Sequence, residues 1–216
     1  MFLVAFDFDG TLSPSEMTVL LGERRGVADE MAAITDRAMN DEIDYATSLR
    51  ERAALLDGLS IEEAETAFDG VTLRPGAGKL LENLNDAGVE TAILTGGFER
   101  GVETALANAG VTVDHVVANR LPRSAGALTG DVDGPLVEGT KDEALATLVE
   151  RVGGSPTTVA VGDGANDRPM LAVADVAIGF DPKPAVTDVC DDIVISIAEL
   201  RERFEEMGLL EGGDRR

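Results

Sequence analysis

Two aspartates, Asp7 and Asp9, stand two residues apart in "FDFDGT" (6–11), where an apolar run gives way to glycine and threonine. In an extended chain, side chains at i and i+2 project to one side, so the two carboxyls face the same way as long as the strand lasts. A second acidic pair, Asp163 and Asp167, stands in "GDGAND" (162–167), again after an apolar run. If the two runs are neighbouring strands, four carboxylates share one crevice. Two unit charges about 4 Å apart repel by about 4 kcal/mol at an effective dielectric near 20, so such a cluster must take up protons or bind a cation. A hard divalent ion that takes oxygen ligands relieves it, and one or two carboxylates plus a substrate phosphate is the way magnesium is held. The expected cofactor is therefore Mg2+.

A phosphate also needs donors. "LTGGF" (94–98) offers the hydroxyl of Thr95 and the backbone amides of Gly96 and Gly97. They are expected at the start of a helix, where free amides and the helix dipole favour an anion. Lys141, near the start of the helix after "VEGT", is one of three lysines, with Lys79 and Lys183, and could supply the positive charge that a transferring phosphoryl group requires.

These residues need a scaffold that brings four segments to one edge. Short apolar runs at 2–6, 90–95, 114–118, 157–163, 175–180 and 192–195 read as strands buried on both faces. Helical patterns at 76–87, 98–109, 140–152, 166–173 and 196–207 alternate with most of them. Strand alternating with helix predicts an α/β fold with a three-layer, mostly parallel sheet, whose ligand sits outside the carboxyl ends of the strands. Residues 15–69 break the rhythm with helical stretches at about 15–22, 27–39, 43–57 and 60–68, punctuated by glycines at 22, 26, 58 and 70. The expected organisation is a core of 1–14 and 71–216 with a small helical cap, 15–70, inserted after strand 1. Gly and Asp-Gly turn signals in 121–138 predict a β-hairpin flap, and the tail 211–216 is expected to fray.

The chain has 216 residues, 44% of them hydrophobic, which is enough for a folded core. Its 41 Asp and Glu against 18 Lys and Arg give a net charge of -23. That field repels nucleic-acid phosphates and anionic membranes over most of the surface, so neither is expected as a partner. Near molar salt the screening length shrinks to roughly 3 Å, and the acidic surface is read as an adaptation to a salt-rich cytoplasm. A lone cysteine, Cys190, excludes an internal disulfide, and "MFLVAF" before Asp7 is too short for a signal sequence. No run approaches the roughly 20 apolar residues of a membrane span. A cytoplasmic monomer or homodimer is expected.

Asp7-x-Asp9-x-Thr11, Thr95, Lys141 and Gly162-Asp163-Gly164-x-Asn166-Asp167 resemble, in order, the four motifs of the haloacid dehalogenase superfamily of phosphotransferases. "TGGF" (95–98), "VANRL" (117–121), "LTGDV" (128–132) and "GDGAND" are more closely similar to the phosphoserine phosphatase family. The resemblance spans the chain to about residue 205. It implies that Asp7 is the nucleophile, forming an aspartyl phosphate, and that Asp9 is the acid/base group. It implies magnesium ligation by Asp7, the Asp9 carbonyl and Asp163, with Asp167 in support through water or by orienting Lys141. Thr95, Gly96, Lys141 and Asn166 would hold the phosphoryl oxygens, and Thr11 would organise its loop locally. In the cap, Glu16 would meet a substrate ammonium and Arg52 its carboxylate, with Met39 and Tyr45 closing over it. An ammonium site beside a carboxylate site implies a small phosphoamino acid, O-phospho-L-serine. Phosphoglycolate hydrolysis, phosphoryl transfer to homoserine and a non-catalytic binding module are the alternatives. Thr95 departs from the family's usual serine but keeps the hydroxyl.

Other likenesses fail on their own residues. "RPGAGKL" (74–80) has Leu73 where a P-loop needs its first glycine and Leu80 where it needs Ser or Thr. "DVDG" (131–134) has Leu136 where a calcium loop needs glycine. His115 and Cys190 have no partner at metal or triad spacing.

Overall fold

The computed structural model describes residues 1–39 and 42–211, so the expectation for the tail beyond Glu211 lies outside it. The chain opens with β1 (Phe2–Phe6), then α1 (Met17–Arg25), α2 (Ala28–Met39), α3 (Tyr45–Ala54) and α4 (Ile61–Asp69), with no intervening strand among the described residues. α5 (Ala77–Asp86), β2 (Glu90–Phe98), α6 (Glu99–Ala109) and β3 (His115–Asn119) follow. A two-strand hairpin, β4 (Arg123–Ser124) and β5 (Ala127–Leu128), leads to a single turn, α7 (Pro135–Glu138), and to α8 (Lys141–Val152). The chain then runs through β6 (Thr157–Gly162), α9 (Arg168–Val173), β7 (Val176–Phe180), β8 (Asp192–Val194) and α10 (Ile197–Glu206).

Among the described residues, six strands form one sheet in the order β3-β2-β1-β6-β7-β8, and every pairing is parallel. β1 shows why its run is apolar throughout. Val4 and Phe6 enter one core with α5, α6 and α10, while Leu3 and Ala5 enter the other with α8 and α9. Alternate residues of a strand face opposite sides, so a central strand covered on both faces has no position for a polar residue. Phe6 meets Phe204 of α10 edge to face at 6.2 Å. Each such fully buried large side chain contributes about 1.5–3 kcal/mol.

The first core runs on into the inserted helices through Leu21, Met31, Leu49, Leu56 and Phe68. Local signals set their ends: Gly26 closes α1 in the left-handed conformation with φ 77°, and Ser60 and Glu63 form a reciprocal capping box on α4. The hairpin is shorter than the predicted 121–138 flap. Its ladder holds two pairs, Arg120 and Asp133 bridge its base, and 135–138 turns helical. The hairpin is also stitched to the α3–α4 connection: Leu128 N–H donates to Leu59 O at 2.8 Å and Gly58 N–H to Leu128 O at 3.0 Å. Among the described residues, no helix is long and apolar enough to cross a membrane.

Candidate active site

β1 and β6 are adjacent, and from them the chain order runs outward in both directions. This is the switch point of the sheet, where a crevice opens beyond the strand ends. Asp7 follows the last residue of β1, and its N–H donates to Val161 O of β6 at 2.8 Å; Asp163 follows the last residue of β6. Both are buried, as is Asp167. One carboxylate oxygen from each of the three lies within 4.8 Å of the others. Lys141, the first residue of α8, is itself buried and reaches both Asp7 Oδ1 and Asp167 Oδ1. At its helix start Thr140 N–H donates to Glu143 Oε2 at 3.2 Å. The second oxygen of Asp167 accepts the N–H groups of Asp163 and Gly164 at 3.0 and 2.9 Å. Asp167 therefore touches both the loop after β6 and Lys141.

The Thr95 segment differs from expectation. β2 continues to Phe98 and α6 begins at Glu99, so Gly96 and Gly97 belong to an irregular strand end, not to a helical first turn. Gly97 N–H is engaged as well, donating to Thr95 Oγ1 at 2.9 Å. The reason lies in neighbouring packing. A Cβ on Gly97 would stand 2.8 Å from Asp9 Oδ2, and one on Gly96 would stand 1.8 Å from the Tyr45 hydroxyl. The two glycines let Asp9 from the core and Tyr45 from α3 approach the strand closely. Asn119, fully buried, braces the turn, donating to Gly96 O at 3.1 Å and accepting from Leu136 N–H at 3.0 Å. Its motif was visible in the sequence, but its structural task was not.

Burial and the nearby Asp167 push the Asp7 carboxyl from 3.8 up to about 8, against the opposing pull of Lys141. Asp9 is held well above the carboxylate range, first by burial and then by Glu16 and Asp7. Asp9 Oδ2 accepts only a long bond from Met17 N–H, 3.5 Å, and its Oδ1 is buried without a partner. Burial opposes the charge of Lys141, but Asp167 and Asp7 outweigh it and hold the ammonium above its usual range. Three crowded carboxylates and an oxygen-only donor set fit a hard divalent cation.

Thr11 N–H donates locally to Phe8 O at 3.2 Å, while its hydroxyl donates across 152 residues to Asp163 Oδ1 at 3.4 Å. Glu16 is exposed at the start of α1 and makes no side-chain cap bond. Arg52 points from α3 toward α1, with Nη1 donating to Thr18 Oγ1 and Nε to Ser48 O, both at 3.3 Å. Tyr45 keeps its ring partly exposed while burial raises its hydroxyl pKa. Asn166 is exposed beside Gly164 at the rim. The expectation for the Met39 side chain lies outside the described residues.

Sequence reasoning missed three residues. Arg74 locks the "FDFDGT" loop, donating to Thr11 O at 2.9 Å and Gly10 O at 2.7 Å, and lies 5.1 Å over the Phe180 ring. Thr18 anchors Arg52. Lys183 meets Asp163 Oδ2 at 2.9 Å; its signal was the rarity of lysine.

A family model for the haloacid dehalogenase-like hydrolases matches residues 4–172. A phosphoserine phosphatase of Halobacterium salinarum is 55% identical over 210 residues, 97% of this chain and 100% of that one. A solved "Phospho-Aspartyl Intermediate Analogue of Phosphoserine phosphatase" superposes with TM-score 0.85 at 35% identity, covering 94% of this chain and 98% of that one. A substrate-bound phosphoserine phosphatase complex gives TM-score 0.85 at 34% identity, covering 94% and 97%. With motifs, crevice and these likenesses in agreement, the chain belongs to the haloacid dehalogenase-like hydrolases and, among them, to the phosphoserine phosphatase family.

Proposed function

We propose that this protein hydrolyses O-phospho-L-serine to L-serine and phosphate, with Asp7 as nucleophile and Asp9 as proton carrier. The observation that carries the reading is the unlike surroundings of the two carboxyls: Asp7 is ion-paired to Lys141, while its neighbour Asp9 has a buried oxygen without a partner among the described residues, and burial raises its carboxyl above the usual range. An oxygen of Asp7 attacks phosphorus as the bond to the seryl oxygen breaks, and Asp9 gives that oxygen its proton. Asp9 then takes a proton from the water that attacks the aspartyl phosphate, releasing phosphate and restoring Asp7. Lys141, with Thr95, Gly96 and Asn166, holds the phosphoryl oxygens. Asp7, the Asp9 carbonyl and Asp163 would hold magnesium, which when bound offsets the crowded negative charge. Thr11 steadies Asp163, and Asp167 orients Lys141.

The helices within 15–70 act as a cap over a core of 1–14 and 71–216. In the cap, Arg52 takes the substrate carboxylate and Glu16 its ammonium, with Tyr45 and Met39 closing above. The test is phosphate release from a panel of phosphoserine, phosphoglycolate and other small phosphomonoesters, in high salt, with and without magnesium. Phosphoserine should turn over fastest, and only with the metal. Faster turnover of phosphoglycolate overturns the substrate, and undiminished activity after chelation overturns the metal. Arg52→Ala should raise KM for phosphoserine by about 10-fold or more, the scale of one lost charge-assisted bond, with little change for a substrate lacking a carboxylate. Equal effects on both would remove Arg52 from that role.

A further inference from the structure

The chain sets three lysines against 41 acidic residues, and two of the three end on carboxylates of one crevice. Lys141 is locked there, its side chain 4% exposed and its ammonium shared by Asp7 and Asp167. Lys183 is bound differently. Its ammonium lies 2.9 Å from Asp163 Oδ2, yet its side chain is 54% exposed. The backbone beneath it is fixed: Lys183 N–H donates to the Asp163 carbonyl oxygen at 2.8 Å, and Lys183 O accepts from Val186 N–H at 3.1 Å. Pro182 and Pro184 on either side restrict the chain further. The loop follows β7, next to β6, and so starts from the same edge of the sheet as Asp163. The base is anchored, while a flexible four-carbon stem leaves the charged head able to turn into solvent.

We propose that Lys183 is an exchangeable counter-ion: its ammonium neutralises Asp163 in the metal-free protein and gives way to the dication, weakening metal affinity as it does so. The inference rests on the reading of Asp163 as a metal ligand. One carboxylate oxygen cannot hold an ammonium and a dication at full strength, because the two positive charges repel across a few ångströms. Lys141 cannot play this part, since it is enclosed and is held by Asp167 as well as by Asp7. The chain thereby keeps the crevice electrically tolerable before loading, and a metal ion enters by exchange of one cation for another.

The test is titration calorimetry of MgCl2 alone into the chelator-stripped full chain at fixed molar KCl, with no substrate. Lys183→Met should bind magnesium about tenfold more tightly than wild type, the effect of removing one nearby like charge. Lys183→Arg, which keeps the charge, should stay within about twofold of wild type. The magnesium-induced rise in thermal midpoint should be larger for Lys183→Met, a change that a merely structural lysine would not produce. Lys183→Gln carries the same expectation should the methionine variant not fold. Equal or weaker affinity in the charge-removing variant overturns the inference while leaving the metal site standing. Absence of magnesium binding in wild type and variants alike overturns the metal reading, and this inference with it.

Discussion

At the scale of single residues, the two carboxyls after β1 differ in their partners. Asp7 has Lys141 as a partner, whereas Asp9 has an oxygen with none, and burial acts on both. Asp7→Asn should abolish turnover while leaving the fold intact; retained activity would put the nucleophile elsewhere. The same substitution tests the electrostatics. Because the folded-state value, about 8, lies above the ordinary 3.8, the metal-free fold keeps a proton that the unfolded chain has released. The stability from this group is complete below about pH 4 and is lost as pH rises toward 8. Denaturation in the presence of chelator should therefore show the stability of Asp7→Asn relative to wild type growing across that window. A difference that is flat in pH would mean that the Asp7 carboxyl is not perturbed.

At the scale of elements, strand ends do most of the positioning. The extension of β2 through Gly97 brings Thr95 and Asp9 together without room for a side chain, a Cβ there standing 2.8 Å from Asp9 Oδ2 and 3.1 Å from Thr95 Oγ1. Gly97→Ala should lower kcat by about 100-fold, the scale at which a displacement near 1 Å is felt, with a smaller change in thermal midpoint. Unaltered kcat would show that Asp9 does not need this close approach. The elements themselves were legible in the sequence, because the apolar runs and the glycine and serine caps are local signals. The Gly96–Gly97 segment was not. Its two glycines read equally well as a helix start, and only the neighbours that press on them, Asp9 and Tyr45, decide for strand. The flap was overestimated for a related reason, since turn residues announce a hairpin without fixing how far its ladder extends.

At the scale of the whole molecule, the net charge of -23 sets self-repulsion against cohesion. Ion pairs such as Arg37–Glu51 and Arg168–Asp188 are solvent-accessible, and each contributes about 0–1 kcal/mol. Salt weakens them, but it also screens the repulsion among 41 acidic residues set against 18 basic ones, so the net effect should be stabilising. Thermal midpoints should rise by several degrees from dilute buffer to molar KCl, each 1 kcal/mol moving Tm by roughly 2–4 °C at this length. Equal midpoints would count against the salt-rich setting.

The sequence by itself determined the parallel α/β architecture, the inserted helices and the identity of the acidic and basic groups, because periodicity, capping and motif order are written along the chain. Only the tertiary structure decided that Asp7, Asp163, Asp167 and Lys141 meet, that Thr11 reaches Asp163, and that Arg74, Thr18, Asn119 and Lys183 brace them. Those contacts join segments far apart in the chain, and a side chain's partner across such a distance depends on which strands lie side by side. That adjacency is a property of the packed sheet as a whole, absent from any short stretch of residues.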